Sequence, residues 1–192
     1  MKSQMKKIIL IILCLATLTS VSAQELYKNA VKVTFLSWIT GSTKLSYERA
    51  FPQHRQSGEL CASVIGAGYD KFNNDPRGFT LRYGHKFFVA GYDENKPLQG
   101  FYLRPEVMYS HFNYTHSLTT ERTPARMGCV MATVGYQYCV KRFVADAWVG
   151  GGYSFGRVAE TGYHHGFQVW KLFGTRNDNI ALSFTVRLGV LW

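Results

Sequence analysis

The sequence predicts an all-β fold, an eight-stranded antiparallel up-and-down transmembrane β-barrel, and three observations carry that prediction. In segment 180–192, Ile180, Leu182, Phe184, Val186, Leu188, Val190 and Trp192 alternate with Ala181, Ser183, Thr185, Arg187, Gly189 and Leu191. This is a strand of period two with one wholly apolar face, and its aromatic end is how outer-membrane barrel strands mark an interface. Aromatic residues make up 15% of the chain and 18 glycines stand against 5 prolines, while amphipathic helical periodicity is missing past residue 24, which argues against a helical bundle. The mean hydropathy of −0.11 argues against a helical membrane protein but says little against a barrel, whose lumen-facing residues dilute its lipid-facing ones.

At the start of the chain, Lys2, Lys6 and Lys7 precede the apolar run 8–18 and then Val21-Ser22-Ala23. This pattern predicts a secretory signal peptide at 1–23 and one barrel domain at 24–192. The apolar run is shorter than the roughly 20 residues a spanning helix needs. Cys14 raises a lipoprotein alternative, but Leu13 stands where a lipid-anchor signal wants a small residue.

The strands follow in order. Segment 29–39 opens the barrel with Val31, Val33 and Phe35 alternating with Lys32 and Thr34, and Thr40-Gly41-Ser42 reads as a tight turn. Segment 43–51 sets Leu45 and Tyr47 against Lys44, Ser46 and Glu48, and segment 58–69 is a third strand of mostly small residues whose faces the pattern does not assign. Segment 70–78, with Asn73-Asn74-Asp75-Pro76, has loop chemistry. In the fourth strand Phe79, Leu81, Tyr83, Phe87 and Val89 alternate with Thr80, Arg82, Gly84, Lys86 and Phe88. After a turn at 91–99 the fifth, 100–113, places Phe101, Leu103, Val107 and Tyr109 opposite Tyr102, Arg104, Glu106 and Ser110.

Past a polar loop at 114–124, the sixth strand, 125–139, sets Val130, Val134, Tyr136 and Tyr138 against Cys129, Met131, Thr133 and Gln137. Val140-Lys141-Arg142 turns into the seventh, 143–155, where Phe143, Val149, Tyr153 and Phe155 oppose Asp146, Trp148 and Ser154. The connection 156–179 reads as the longest loop, and 180–192 is the eighth strand. An even count places both ends of the wall on one side, as in barrels with periplasmic termini.

Cys61, Cys129 and Cys139 suggest disulfides in an exported protein, but Cys129 and Cys139 share a strand and so lie roughly 33 Å apart. We expect free, buried thiols acting as small hydrophobes. On this register the inward faces carry Glu48, Arg82, Lys86, Arg104, Glu106, Asp146 and Arg187, with Lys32, Lys44, Gln137 and Ser183 beside them. Eight strands leave room only for side chains, so the expected lumen is a polar network. A narrow channel, or a lipid- or small-ligand-binding barrel, is the alternative reading of the same residues.

Ser110-His111 invites comparison with barrels that modify lipid A, but neighbouring strand residues point to opposite faces and make a poor nucleophile and base. No catalytic set and no cofactor site is expected. His116 and the loop pair His164-His165 offer zinc-type ligands, though consecutive loop histidines are expected to be solvated. The net charge is +10, of which the leader lysines supply three. The remaining surplus suits anionic lipid headgroups, and an exported barrel is not expected to meet nucleic acid.

Asn29-Ala30-Val31-Lys32, Leu45-Ser46-Tyr47-Glu48-Arg49-Ala50, Arg104-Pro105-Glu106 and the terminal strand together resemble a Bacteroidota family of outer-membrane barrels that is a domain of unknown function. The architecture is similar to the small OmpA and OmpX type of barrel. That resemblance implies location in the bacterial outer membrane, contact with its lipid including lipopolysaccharide, and assembly by the barrel-assembly machinery acting on the C-terminal strand. It also implies a structural or surface-interaction role through exterior loops toward an unknown surface partner. A lipocalin-like soluble barrel is the rival fold, disfavoured by the apolar outward faces.

Overall fold

In each long segment every second residue is aromatic or aliphatic and the residue between is small or polar, so an extended chain separates them onto two faces. The computed structural model describes residues 27–172 and 174–192; the signal peptide expected at 1–23 lies outside the described residues. The elements are β1 (Asn29–Val33), α1 (Leu36–Ile39), β2 (Thr40–Phe51), a 3-10 turn Pro52–His54, β3 (Gln56–Asp70), β4 (Arg77–Ala90) and β5 (Gly100–Thr115). They continue with β6 (Arg122–Val140), β7 (Phe143–Arg157), β8 (Gln168–Leu172) and β9 (Thr175–Leu191). β1 to β7 pair antiparallel in sequence order, β7 pairs with β9, and β9 closes on β1 from Ala30↔Leu191 to Val33↔Leu188. Asn29 N donates to Trp192 O and Trp192 N to Asn29 O, each at 3.1 Å, sealing the terminal end of the seam. The result is a closed eight-stranded barrel of β1 to β7 and β9, with β8 added to the free edge of β9.

Its polarity is inverted relative to a soluble domain. Leu81, Val107, Val149, Phe184 and their neighbours along each strand point outward and are exposed, while Lys32, Lys86, Glu48, Glu59, Arg104 and Arg187 are buried inside. Apolar clusters close the lumen at both ends. Ala30, Ala50, Leu98, Cys139, Val144 and Leu191 pack near the termini, and Ile65, Phe112, Tyr114, Ala125 and Ala159 pack at the loop end. Cys61, Cys129 and Cys139 are free and buried.

Most strands run two or three residues beyond the bounds read from the sequence, and three differences are larger. The first strand stops at Val33 rather than running to residue 39, because Leu36 to Ile39 coil into one helical turn. Ser37 Oγ donates to Thr34 O at 2.7 Å and Thr40 Oγ1 to Ser37 O at 3.0 Å, local bonds that compete with the ladder. Thr40-Gly41-Ser42, read as a turn, instead begins β2. The connection 156–179 is not all loop: β8 and the start of β9 form a hairpin across Gly174, whose φ of +73° suits a residue without Cβ. The polar run Arg176-Asn177-Asp178-Asn179 hides this strand because it carries no apolar alternation.

Candidate functional site

Inward residues from all eight strands of the wall meet in one cluster, ionic but for Gln137. Lys32 Nζ of β1 donates to Glu48 Oε2 at 2.6 Å, to Asp146 Oδ2 at 2.9 Å and to Glu59. Lys86 Nζ of β4 reaches Gln137 Oε1 at 2.5 Å, Asp146 Oδ2 at 3.0 Å and Glu48 Oε1 at 3.1 Å. Arg187 Nη2 of β9 donates to Asp146 Oδ2 at 2.6 Å and to Glu59 Oε2 at 2.9 Å. Arg104 Nη1 lies 3.3 Å from Glu59 Oε1, and its Nη2 makes an ion pair with Glu106 Oε2 at 2.7 Å. Arg82 Nε sits 3.6 Å from Glu106 Oε1.

Aromatic groups complete the packing. Tyr102 OH donates to Asp146 Oδ1 at 2.6 Å, and the Trp148 ring lies 4.4 Å from the Arg104 guanidinium and 4.8 Å from that of Arg82. These are cation–π contacts in a desolvated setting, where they are strongest.

All seven residues singled out from the sequence, Glu48, Arg82, Lys86, Arg104, Glu106, Asp146 and Arg187, are buried in this cluster. Glu59 was missed, and it is the residue that joins Lys32, Arg104 and Arg187. Its strand alternates Ser57, Glu59, Cys61, Ser63 and Ile65 inward against Leu60 and Val64 outward. That alternation is present in the sequence but weak, because Cys61, Ala62 and Ser63 are alike in size and polarity.

Glu48, Glu59 and Asp146 bring carboxylate oxygens within 4.8 Å of one another, a spacing that suits a hard cation. The ammonium groups of Lys32 and Lys86 already stand among those oxygens, so the trio is neutralised by the protein's own side chains. Ser110 points inward toward Thr80, whereas His111 packs on the outer face against Phe79. The wall separates the two.

The histidine pair behaves differently from the solvated loop expected. His164 and His165 are 0% and 3% exposed, turned down into the loop end of the lumen. The His165 ring meets Phe112 edge-on at 4.9 Å and His164 stacks on Phe167 at 5.1 Å. Burial pushes the His164 imidazole down to about 4, and burial together with the nearby Lys44 charge pushes His165 down to about 3. Both rings are therefore neutral near pH 7, and His164 Nε2 accepts a hydrogen bond from Ala159 N at 3.2 Å.

The connections at this end are tied to one another. Arg122 Nη1 holds Asp75 Oδ2 at 2.9 Å, Ser117 N donates to Glu160 Oε2 at 3.0 Å, and Tyr163 OH and Thr40 Oγ1 lie 2.8 Å apart. Hydrogen bonding to Arg77 and Arg122 holds the Asp75 carboxyl below its ordinary range, and hydrogen bonds from Ser117 do the same for Glu160.

Fold and lumen together define the class: a closed eight-stranded β-barrel, apolar outside, with a charged interior filled by side chains. No family model, no curated protein and no solved structure matches the chain.

Proposed function

We propose that this protein is an outer-membrane β-barrel without enzymatic activity, acting as a structural or surface-interaction protein through the connections at its loop end. The observation that carries this reading is the inverted polarity: a barrel wall with an apolar exterior around an ionic lumen. Such a surface suits lipid and is unfavourable in water. Aromatic residues lie near both ends of the wall, Trp192, Phe51 and Phe143 toward the termini and Tyr153, Phe155 and Phe79 toward the loops, as expected for two bilayer interfaces. The family resemblance of the Ser46-Tyr47-Glu48-Arg49 element supports the same location.

Under this reading the outward faces contact outer-membrane lipid including lipopolysaccharide, and β9 with Trp192 is the strand offered to the barrel-assembly machinery. The cross-tied connections favour a surface partner, because binding to a preordered surface costs less entropy. Leu118, 86% exposed at the tip between β5 and β6, is the apolar residue best placed to anchor one. A conducting role is disfavoured by the apolar clusters at both ends and the salt-bridged centre.

The test is membrane fractionation and heat-modifiable gel mobility of the mature protein, followed by planar-bilayer recording. The expected result is an outer-membrane protein whose folded band shifts on boiling and whose conductance does not exceed that of a protein-free bilayer. A soluble periplasmic protein without a shift contradicts the membrane assignment. Steady unitary currents contradict the non-conducting one.

A further inference from the structure

The wall is incomplete at one place. On the side of β9 away from β7, β1 pairs up to Leu188 and β8 pairs from Leu182, and residues 183–187 between them face no strand among the described residues. β1 ends at Val33, and α1 stands in the break, held to β2 by Ser42 Oγ donating to Ser37 O at 3.4 Å. A cavity of about 310 Å³ opens there. Its mouth is apolar: Leu36 and Ile39 of α1 on one side, Leu182 and Phe184 of β9 on the other, all exposed on the outer surface. Its inner end is cationic, formed by Lys44, Arg82 and Arg187, and no carboxylate lines it.

The charges of the lumen do not cancel at this point. Five buried cations, Lys32, Arg82, Lys86, Arg104 and Arg187, face four buried carboxylates, Glu48, Glu59, Glu106 and Asp146. Lys44 stands beside them, turned inward from β2, and makes no side-chain hydrogen bond or ion pair with any described residue. Arg187 Nε is buried and has no hydrogen-bond partner. At the depth of a bilayer, unpaired strand backbone persists only where it lines a polar cavity, and an uncompensated cation is costly. An anionic group in the cavity offsets the second.

We propose that this break is a lateral binding site for a single-chain anionic amphiphile. Its head meets Lys44 and Arg82 inside the wall, and its acyl chain passes between α1 and β9 into the surrounding lipid. This inference rests on the membrane reading above. The cavity is at the small end of the roughly 300–1,000 Å³ usual for ligand sites, which suits one head and the first part of one chain.

The experiment measures binding to the protein folded in uncharged maltoside micelles, with palmitate, palmitate methyl ester, lysophosphatidate and inorganic phosphate as probes. Palmitate or lysophosphatidate is expected to bind saturably, and whichever binds tighter identifies the head as carboxylate or phosphate. The methyl ester is expected to bind about tenfold more weakly, the scale of one charge-assisted contact. Lys44→Met should weaken the acids by about the same factor while Lys44→Arg stays near the parent protein. Each variant is checked for heat-modifiable mobility, and removing an amine without a protein partner is not expected to impair folding.

Equal binding of ester and acid, phosphate binding as tightly as the acyl probes, or unaltered affinity in Lys44→Met overturns the site. A heat-modifiable barrel that binds none of the probes overturns the amphiphile site alone. A soluble protein without heat-modifiable mobility overturns the membrane reading and lateral access with it.

Discussion

Glu59 shows at the scale of one residue how the lumen is held. Its carboxylate joins Arg187, Lys32, Arg104 and Lys86, four cations from four strands. Replacing a carboxylate in such a network strands the opposing charges rather than merely deleting a bond. Glu59→Gln should therefore destabilise the folded barrel by about 3–5 kcal/mol, read from urea unfolding in lipid vesicles. A loss below about 1 kcal/mol, typical of an exposed pair, would contradict the network. Legibility at this scale followed the strength of alternation. Arg82 and Lys86 stood out because Leu81, Tyr83 and Phe87 flank them, whereas Glu59 sits among residues too similar to mark a face. The pairing of ions was not legible anywhere, because period two fixes a side chain's face and not its height against distant strands.

At the scale of elements, large inward residues are matched by glycine on the adjoining strand. Lys32 lies across from Gly189 and Tyr102 across from Gly135, where an added Cβ would fall 2.5 Å from the Tyr102 hydroxyl. This large-small pairing lets a narrow barrel hold bulky charged groups. The segment between β7 and β8 is the pH-sensitive element. His164 and His165 titrate near 4 and 3 when buried but near 6.5 when solvated, so acid favours the state in which the segment has lifted out of the lumen. The closed segment keeps its full stability above pH 6.5 and loses it progressively as the pH falls toward 4 and then 3. Hydrogen exchange at residues 158–167, corrected for intrinsic rates, should quicken between pH 7.5 and 4.5. The double variant His164→Phe with His165→Phe should abolish that dependence, and unchanged protection in the parent protein would contradict it. The burial of these histidines was unreadable from the sequence, since nothing local tells a loop to fold inward.

At the scale of the whole molecule, the membrane reading makes a demand on the outer surface that a soluble barrel does not. Val149 sits midway along β7, between Val134 and Phe184 on the neighbouring strands, and is 57% exposed. Val149→Arg should cost about 2–4 kcal/mol of folding free energy in a bilayer, as for a charge at the midplane. The same change at Phe143, near the terminal end, should cost about 0–1 kcal/mol. Equal and negligible costs at both positions would mean that water, not lipid, surrounds the barrel.

The sequence by itself determined the all-β class, seven of the eight strands of the wall in essentially their final places, and which residues face inward in the strongly alternating ones. These follow from side-chain period and turn chemistry, which are local. Only the tertiary structure decided that β1 stops at Val33, that β8 pairs on β9 instead of lengthening a loop, that Glu59 joins four cations, and that α1 leaves the wall open beside Lys44. Each of these depends on what lies across the barrel or along the seam. Closure brings residues 29 and 192 together, and it is this long-range contact, absent from any local stretch, that sets which charges meet and where the wall fails to.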